Sequence, residues 1–443
     1  MHKDLTEGPI AGTMLRFALP MIAGNLLQQF YNIADTLIVG RYLGMQALAA
    51  VGAAYALMTF LTSILLGLCM GSGAVFSLRY GEKNEDMLKS SIFVSFVLIA
   101  AVTAVLNAGV FLFLDPIMTL LCVPADIYAV MREYLWVIFF GISAVFLYNY
   151  FACLLRAVGN SMTPLIFLGV SAILNVALDL VFVLVFGWGA AGVAGATVFA
   201  QFVSGIGISL YTFFKMPEFR LGRRHMRMDR QVLREISGFS VLTCVQQSVM
   251  NFGILMVQGL VNSFGAVVMA AFAAAVKIDS FAYMPVQDFG NAFSTFIAQN
   301  FGAGKKERVE KGIKSAVAVS LAFCLAISLI VCLFAKPLML IFVQPQETEI
   351  LAVGVQYLRI EGAFYCGIGC LFLLYGLYRA VRKPEMSVVL TVISLGTRVL
   401  LAYVLSAIPS IGVAGIWAAV PIGWFLADAA GFAYYWKKRE NIL

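Results

Sequence analysis

The chain has 443 residues, of which 62% are hydrophobic and 12% are charged, and its formal net charge is +7. Soluble globular proteins have about 45–50% apolar and about 25% charged residues, so this composition excludes that class and indicates lipid as the main solvent. The apolar runs are continuous, which also excludes a membrane β-barrel, whose strands are short and alternate in polarity.

Apolar stretches long enough to cross a bilayer recur along the whole chain. One crossing takes about 20 helical residues. The first six predicted spans are 14–39, 46–78, 90–114, 128–157, 162–186 and 190–215. The second six are 235–263, 266–300, 312–343, 350–381, 384–408 and 412–437. The predicted fold class is therefore an all-α integral membrane protein with twelve transmembrane helices.

The basic residues predict the orientation, because Lys and Arg accumulate in cytoplasmic loops. With the N-terminus inside, 24 of the 30 Lys and Arg residues fall in the cytoplasmic segments. We therefore expect a multi-pass protein of the cell (inner) membrane with both termini cytoplasmic. The positive charge is spread over many loops, so nucleic acid is excluded as a partner and membrane lipids are expected instead.

The second half of the sequence repeats the first. Gly192–Gly195 and Gly412–Gly415 are identical, and Arg156–Val158 is identical to Arg379–Val381. Each half has six spans, so the lobes 1–215 and 235–443 should be related by a pseudo-two-fold axis along the membrane normal. Parallel repeats of this kind are typical of transporters with a substrate between two lobes. The basic stretch 216–234 is then the cytoplasmic linker between lobes.

Polar side chains inside the first, fifth and sixth spans are predicted to reach a similar depth. Tyr31 and Asp35 are four residues apart, as are Asn175 and Asp179, so each pair shares a helical face. With Thr197 they form an oxygen-rich set suited to a small cation. If Na⁺ binds here, Asp35, Asp179, Asn175 and Thr197 are its ligands. Buried carboxylates can also exchange protons, so H⁺ is equally open. The alternative is that each Asp only bonds a neighbouring helix.

The second half has its own intramembrane charges, in the eighth, tenth and eleventh spans. Lys277, Asp279 and Arg398 are candidates for the substrate cavity. At a displacement of 223, Arg398 matches Asn175 and Ala402 matches Asp179, so the second lobe lacks the first lobe's ligand pair. The alternative is that opposite charges such as Lys277 and Glu361 neutralise one another.

Pro20 lies inside the first span and removes a helical hydrogen bond, so we expect a kink there. The kink is either an ordinary bend or a hinge that reshapes the site when Asp35 changes its ion or proton.

In combination these residues resemble the multidrug and toxic compound extrusion (MATE) transporters. The matching segments are Leu19–Pro20 with Asp35, Gly40–Gly44, Arg156–Pro164, Asn175–Asp179 and Gly192–Thr197. The resemblance implies a V-shaped, two-lobed antiporter that exports bulky, often cationic compounds in exchange for Na⁺ or H⁺.

The resemblance carries the coupling role onto Tyr31, Asp35, Asn175, Asp179 and Thr197, and adds Asn149 as a candidate nearer the cytoplasmic end. Other members couple through carboxylates in the seventh and tenth spans. This sequence has only Glu235 and Glu361 there, which fits better with the DNA-damage-inducible and staphylococcal-type branch.

Two other functions remain open at this point. A lipid-linked oligosaccharide flippase of the same superfamily would need a cationic cavity for its diphosphate, to which Lys277 and Arg398 could contribute. An intramembrane enzyme lacks support, because the sequence has no His-Glu-x-x-His or Gly-x-Ser-x-Gly motif. We expect no cofactor other than the coupling ion, small lipophilic molecules as substrates, and a monomer.

Overall fold

The computed structural model describes residues 4–121 and 123–442, which form helices joined by short turns. The helices of the first half are α1 (Ile10–Ile38), α2 (Gly44–Gly81), α3 (Glu85–Leu112), α4 (Leu114–Leu120), α5 (Ala125–Ile138), α6 (Ile142–Ala157), α7 (Met162–Leu180) and α8 (Gly189–Lys215). Those of the second half are α9 (Arg230–Asn262), α10 (Ala266–Gly302), α11 (Lys306–Leu333), α12 (Ala335–Met339), α13 (Thr348–Gly362), α14 (Tyr365–Ala380), α15 (Pro384–Ser406) and α16 (Val413–Ile442).

Twelve crossings can be counted within the described chain. Ten helical runs are long and apolar enough to cross a membrane, and the bent pair α13 and α14 adds an eleventh. One of the ten is the 72-residue run Ile10–Gly81, although about 20 residues suffice for a crossing. That run breaks at Gly44, where φ is 85° and ψ is −176°, so α1 and α2 are separate crossings. The predicted all-α fold with twelve transmembrane helices is confirmed.

Three predicted spans are less regular than expected. The span at 128–157 is interrupted by a 3₁₀ turn, Phe139–Gly141, and the span at 350–381 bends by 51° between α13 and α14. The span at 312–343 was wrong at its end, because α11 stops at Leu333 and the short α12 follows. Hydrophobic periodicity does not distinguish a straight apolar helix from a bent or interrupted one.

The backbone of the turns shows the duplication more clearly than the side chains do. Three residues with positive φ in the first half match three in the second half at displacements of 221 or 223. These pairs are Gly44 with Gly265, Lys83 with Gly304, and Gly159 with Arg382. The turn geometry is kept even where the residue type is not.

The chain forms two compact units. One is built mainly from Leu19–Cys244, and the other from Leu5–Ala18 together with the chain from Val245 onward. Glycines allow close helix packing within each unit. A Cβ on Gly205 of α8 would lie 2.8 Å from the Ala144 carbonyl oxygen of α6. A Cβ on Gly376 of α14 would lie 2.6 Å from the Gly290 carbonyl oxygen of α10.

Candidate functional site

The first unit brings the five predicted polar residues together from three helices. Helix α1 supplies Tyr31 and Asp35, α7 supplies Asn175 and Asp179, and α8 supplies Thr197. Asp179 is fully buried and Asn175 is 2% exposed. The Asn175 Nδ2 atom donates a hydrogen bond of 3.2 Å to Thr197 Oγ1, and that hydroxyl donates one of 3.1 Å to the Val193 carbonyl oxygen. We call these five residues the N-lobe cluster.

The N-lobe cluster is rich in acceptors and poor in donors. The carboxyl groups of Asp35 and Asp179 interact directly. Four buried oxygens in the cluster have no hydrogen-bond partner: Asp35 Oδ1, Asn175 Oδ1, Asp179 Oδ1 and Asp179 Oδ2. Buried polar atoms are almost always satisfied, so such a concentration of exceptions needs an explanation. Two adjoining carboxyl groups with spare lone pairs suit a shared proton or a small hard cation.

Tyrosines surround the Asp35 end of the cluster. Tyr31 lies near Asp35, bonds to the Gln28 side chain, and has Tyr55 and Tyr148 as further neighbours. Tyr134 of α5 was not among the predicted residues, yet it lies near Asp35, Asp179 and Tyr31. A signal was present, because the pair Tyr134-Leu135 recurs as Tyr357-Leu358 at the repeat displacement.

Asn149 and Pro20, the other two candidates of the first half, are distant in sequence from the residues of this cluster. Asn149 of α6 donates a hydrogen bond of 2.9 Å to the Val145 carbonyl oxygen one turn earlier in the same helix. Pro20 lies inside α1, 15 residues before Asp35. Within α1, the chain passes from the second unit to the first between Ala18 and Leu19. Pro20 is the second residue after this boundary.

The second unit contains a different polar cluster, formed by α10, α13, α14 and α15. The Tyr365 hydroxyl donates a hydrogen bond of 2.7 Å to Asp279 Oδ1. The Tyr357 hydroxyl lies 3.0 Å from Glu361 Oε2 and 3.4 Å from Asp279 Oδ2. Arg398 acts electrostatically on both carboxyl groups. We call Asp279, Tyr357, Glu361, Tyr365 and Arg398 the C-lobe cluster.

Within the C-lobe cluster, the two tyrosines donate hydrogen bonds to the carboxylates and Arg398 supplies a positive charge. Lys277 is not part of this cluster. The Lys277 ammonium group is exposed and lies 5.9 Å from the centre of the Phe342 ring. The cation that faces Glu361 is Arg398. The sequence comparison looked only for counterparts of Asn175 and Asp179, which are Arg398 and Ala402 of α15. Asp279 and Glu361 lie on other helices, α10 and α13. That comparison therefore could not reveal this second carboxylate pair.

A duplicated helical membrane protein with buried carboxylates inside one repeat has the architecture of a secondary transporter. The MatE family model matches twice, at residues 20–181 and 241–404. The second match begins 221 residues after the first, which is the displacement that relates Gly44 to Gly265. The chain belongs to the MatE family of secondary transporters and is not an enzyme.

Known relatives cover almost the whole chain. The "Probable multidrug resistance protein YpnP" of Bacillus subtilis is 28% identical, over 99% of this chain and 98% of its own length. The "FAD transporter" of Shewanella oneidensis is 25% identical, over 98% of this chain and 96% of its own. An outward-facing multidrug resistance MATE transporter of the MOP superfamily matches with a TM-score of 0.92 and 21% identity, over 99% and 98% of the two chains.

Among the residues that the structure describes, no group of three or more His, Cys, Asp and Glu side chains is arranged to hold a metal ion. The N-lobe cluster has two carboxylates, with amide and hydroxyl oxygens as its other possible ligands.

Proposed function

We propose that this chain is an antiporter that exports bulky lipophilic cations in exchange for Na⁺ or H⁺ by alternating access. The observation that carries the proposal is the set of four unpartnered oxygens on Asp35, Asn175 and Asp179. Such a set is costly to keep buried unless a cation or proton binds it during the cycle.

Coupling requires that the ion and the substrate favour different states of the protein. Binding of an ion or proton between Asp35 and Asp179 would neutralise the facing carboxyl groups and draw α1 toward α7. Helix α1 also carries Tyr31 and Pro20, so a change at Asp35 reaches the rest of the helix. We infer that Pro20 is the hinge, because the missing backbone hydrogen bond makes bending there inexpensive.

The substrate class follows from the surroundings of Asp35. Tyr31 and Tyr134 place aromatic rings near Asp35, and Tyr55 and Tyr148 lie beside Tyr31. Aromatic faces attract organic cations within about 6 Å of the ring centre. The name of the Bacillus subtilis relative also refers to multidrug resistance. Small lipophilic cations are therefore the expected cargo, carried by a monomer in the cell membrane with both termini cytoplasmic.

The lobes in this proposal are residues 1–215 and 235–443, joined by a cytoplasmic linker at 216–234. Asn149, Lys277, Asp279 and Arg398 remain candidates for the substrate cavity. A flippase or another carrier of anions is the second candidate, and the Shewanella oneidensis relative named an FAD transporter makes it worth testing. The surroundings of Arg398 weigh against it, because two buried carboxylates, Asp279 and Glu361, already interact electrostatically with its guanidinium.

Reconstitution into proteoliposomes tests the proposal directly. Ethidium efflux should follow an imposed Na⁺ gradient or an imposed pH gradient, each applied with the other absent, and the responsive gradient identifies the coupling ion. Asp35→Asn proteoliposomes are the matched control and should show only passive leak. Efflux that responds to neither gradient, together with transport of a fluorescent lipid-linked diphosphate, would establish the flippase function instead.

A further inference from the structure

The second unit contains an apolar cavity distant in sequence from the N-lobe cluster. It lies between α10, α11, α14 and α16 and has a volume of about 170 Å³. Its wall includes Phe293, Val317, Cys370, Phe432, Tyr435 and Trp436. Trp436 is 81% exposed, so the cavity opens toward the lipid-facing surface of α16.

A buried carboxylate, Asp428, lies near the wall of this cavity without being one of its lining residues. Asp428 of α16 is 6% exposed, and its Oδ1 atom has no hydrogen-bond partner. Asp428 lies near Cys370, a residue of the cavity wall, and near Tyr375. Phe432 follows Asp428 by one helical turn, so both side chains lie on the same face of α16.

An unpartnered acid beside an aromatic wall has a specific chemical complement. Burying a carboxylate without a counter-ion is costly. An organic cation supplies the missing positive charge, and its apolar groups can contact the apolar wall without leaving any polar atom unpaired. Four of the lining side chains are aromatic, and ring faces attract quaternary ammonium groups. Pockets for drug-sized ligands have volumes of about 300–1,000 Å³. A cavity of about 170 Å³ is smaller and fits a small organic cation.

The depth of Asp428 indicates where the ligand comes from. Lys437 is nine positions after Asp428, which corresponds to about 14 Å along a helix. A lipid headgroup stays near the level of Lys437, so the ammonium of a bilayer lipid would not reach this carboxylate. A free cation that partitions into the membrane would.

We propose that the cavity between α10, α11, α14 and α16 is a second binding site, which takes small lipophilic cations from the membrane with Asp428 as their counter-ion. It is independent of the N-lobe cluster and does not require that the protein export its ligand. Occupation from the bilayer would concentrate such cations at the protein surface.

The test compares two molecules of the same shape and different charge. Benzyltrimethylammonium is a quaternary cation, and neopentylbenzene replaces its nitrogen by carbon and is neutral. Each is added to the purified full-length protein while N-ethylmaleimide alkylates Cys370, and peptide mass spectrometry measures the alkylation rate at that residue. The cation should protect Cys370, and Asp428→Asn should raise the half-protecting concentration about tenfold or more, since one buried ion pair is lost.

Three control variants test whether protection depends on Asp428 and on the cavity itself. Asp279→Asn removes another carboxylate that is 6% exposed, and Asp35→Asn alters the N-lobe cluster, so neither should change protection of Cys370. Val317→Phe fills the cavity without changing charge and should abolish protection. If Asp428→Asn does not fold, the thermal stabilisation of the wild-type protein by the two molecules decides the matter. Equal effects of the cation and its neutral isostere would overturn the proposal and leave an apolar groove for acyl chains.

Discussion

The N-lobe cluster and the C-lobe cluster are built on the same duplicated backbone and differ in how their polar atoms are satisfied. In the N-lobe cluster, four buried oxygens of Asp35, Asn175 and Asp179 have no partner. In the C-lobe cluster, Tyr357 and Tyr365 donate to the carboxylates and Arg398 offsets their charge, which leaves Glu361 Oε1 and Arg398 Nε without partners. A duplicated fold can therefore keep a cluster of acceptors without donors in one repeat and, in the other, a network in which both carboxylates receive hydrogen bonds.

The largest expected effect comes from neutralising the N-lobe carboxylates. Asp35→Asn or Asp179→Asn should each lower gradient-driven efflux by about tenfold or more, which corresponds to about 1.4 kcal/mol. The double variant should add little, because residues that act as a unit are not additive. Efflux from proteoliposomes, measured on folded protein at equal density, checks this.

The matched control for this prediction is Asp279→Asn, which neutralises a carboxylate of the other cluster. It should impair coupled efflux less than Asp179→Asn does. If the ranking is reversed, coupling lies in the C-lobe cluster. If both single N-lobe variants keep nearly wild-type efflux, Asp35 and Asp179 have only structural roles.

The next effect in size concerns the stability of the C-lobe cluster. Arg398→Met removes the cation that faces Asp279 and Glu361 and leaves two buried carboxylates together. Removing one partner of a contacting buried ion pair costs about 3–5 kcal/mol. We expect no more than the low end here, because Arg398 is only partly buried and acts on the two carboxylates electrostatically, without a direct ion-pair contact. Thermal unfolding in detergent measures the loss. The companion variant Arg398→Met with Glu361→Gln should recover part of it, and an unchanged melting temperature in Arg398→Met would contradict the assigned pairing.

A smaller effect, equal in both halves, is expected at the turns that precede α2 and α10. Gly44 and Gly265 both have positive φ with extended ψ, and a Cβ at either would meet no atom within 4 Å. Backbone strain of this kind costs about 1–3 kcal/mol for residues other than glycine. Gly44→Ala and Gly265→Ala should therefore lower stability by similar amounts in thermal unfolding. Unequal losses would show that the two turns are not equivalent.

The smallest effect distinguishes the short helices α4 and α12. In α4, the pKa of Asp115 is held below its ordinary value of 3.8, first because Arg132 donates to it and next because Tyr128 does. The matching position in α12 is Lys336, whose side chain has no acceptor for such hydrogen bonds. Because the folded-state pKa is lowered, the stabilisation is present at neutral pH and is lost as the pH falls through that value.

Arg132→Met should therefore lower the melting temperature slightly at pH 7, and the difference from wild type should vanish well below pH 3.8. Lys336→Met should show no such pH dependence. The effect is small because Arg132 and Asp115 are both largely exposed, and exposed ion pairs contribute little. A difference that persists unchanged in acid would assign the loss to packing of the Arg132 side chain.

The sequence alone determined the number and type of the transmembrane helices, the duplication, and the two polar pairs that enter the N-lobe cluster. These features depend on local quantities: the length of apolar runs, identity at a constant displacement, and the four-residue spacing of Tyr31 with Asp35 and of Asn175 with Asp179. Each can be read along one helix without knowing its neighbours.

Only the tertiary structure decided which side chains from different helices meet. Tyr134 of α5 lies near Asp35 and Asp179, and Asp279 of α10 meets Tyr357 of α13. Both meetings arise from the packing of helices within one unit. The same packing determines that the oxygens of Asp179 lack donors while those of Asp279 have them. Hydrogen-bond satisfaction is a property of pairs of helices, so no single apolar stretch can reveal it.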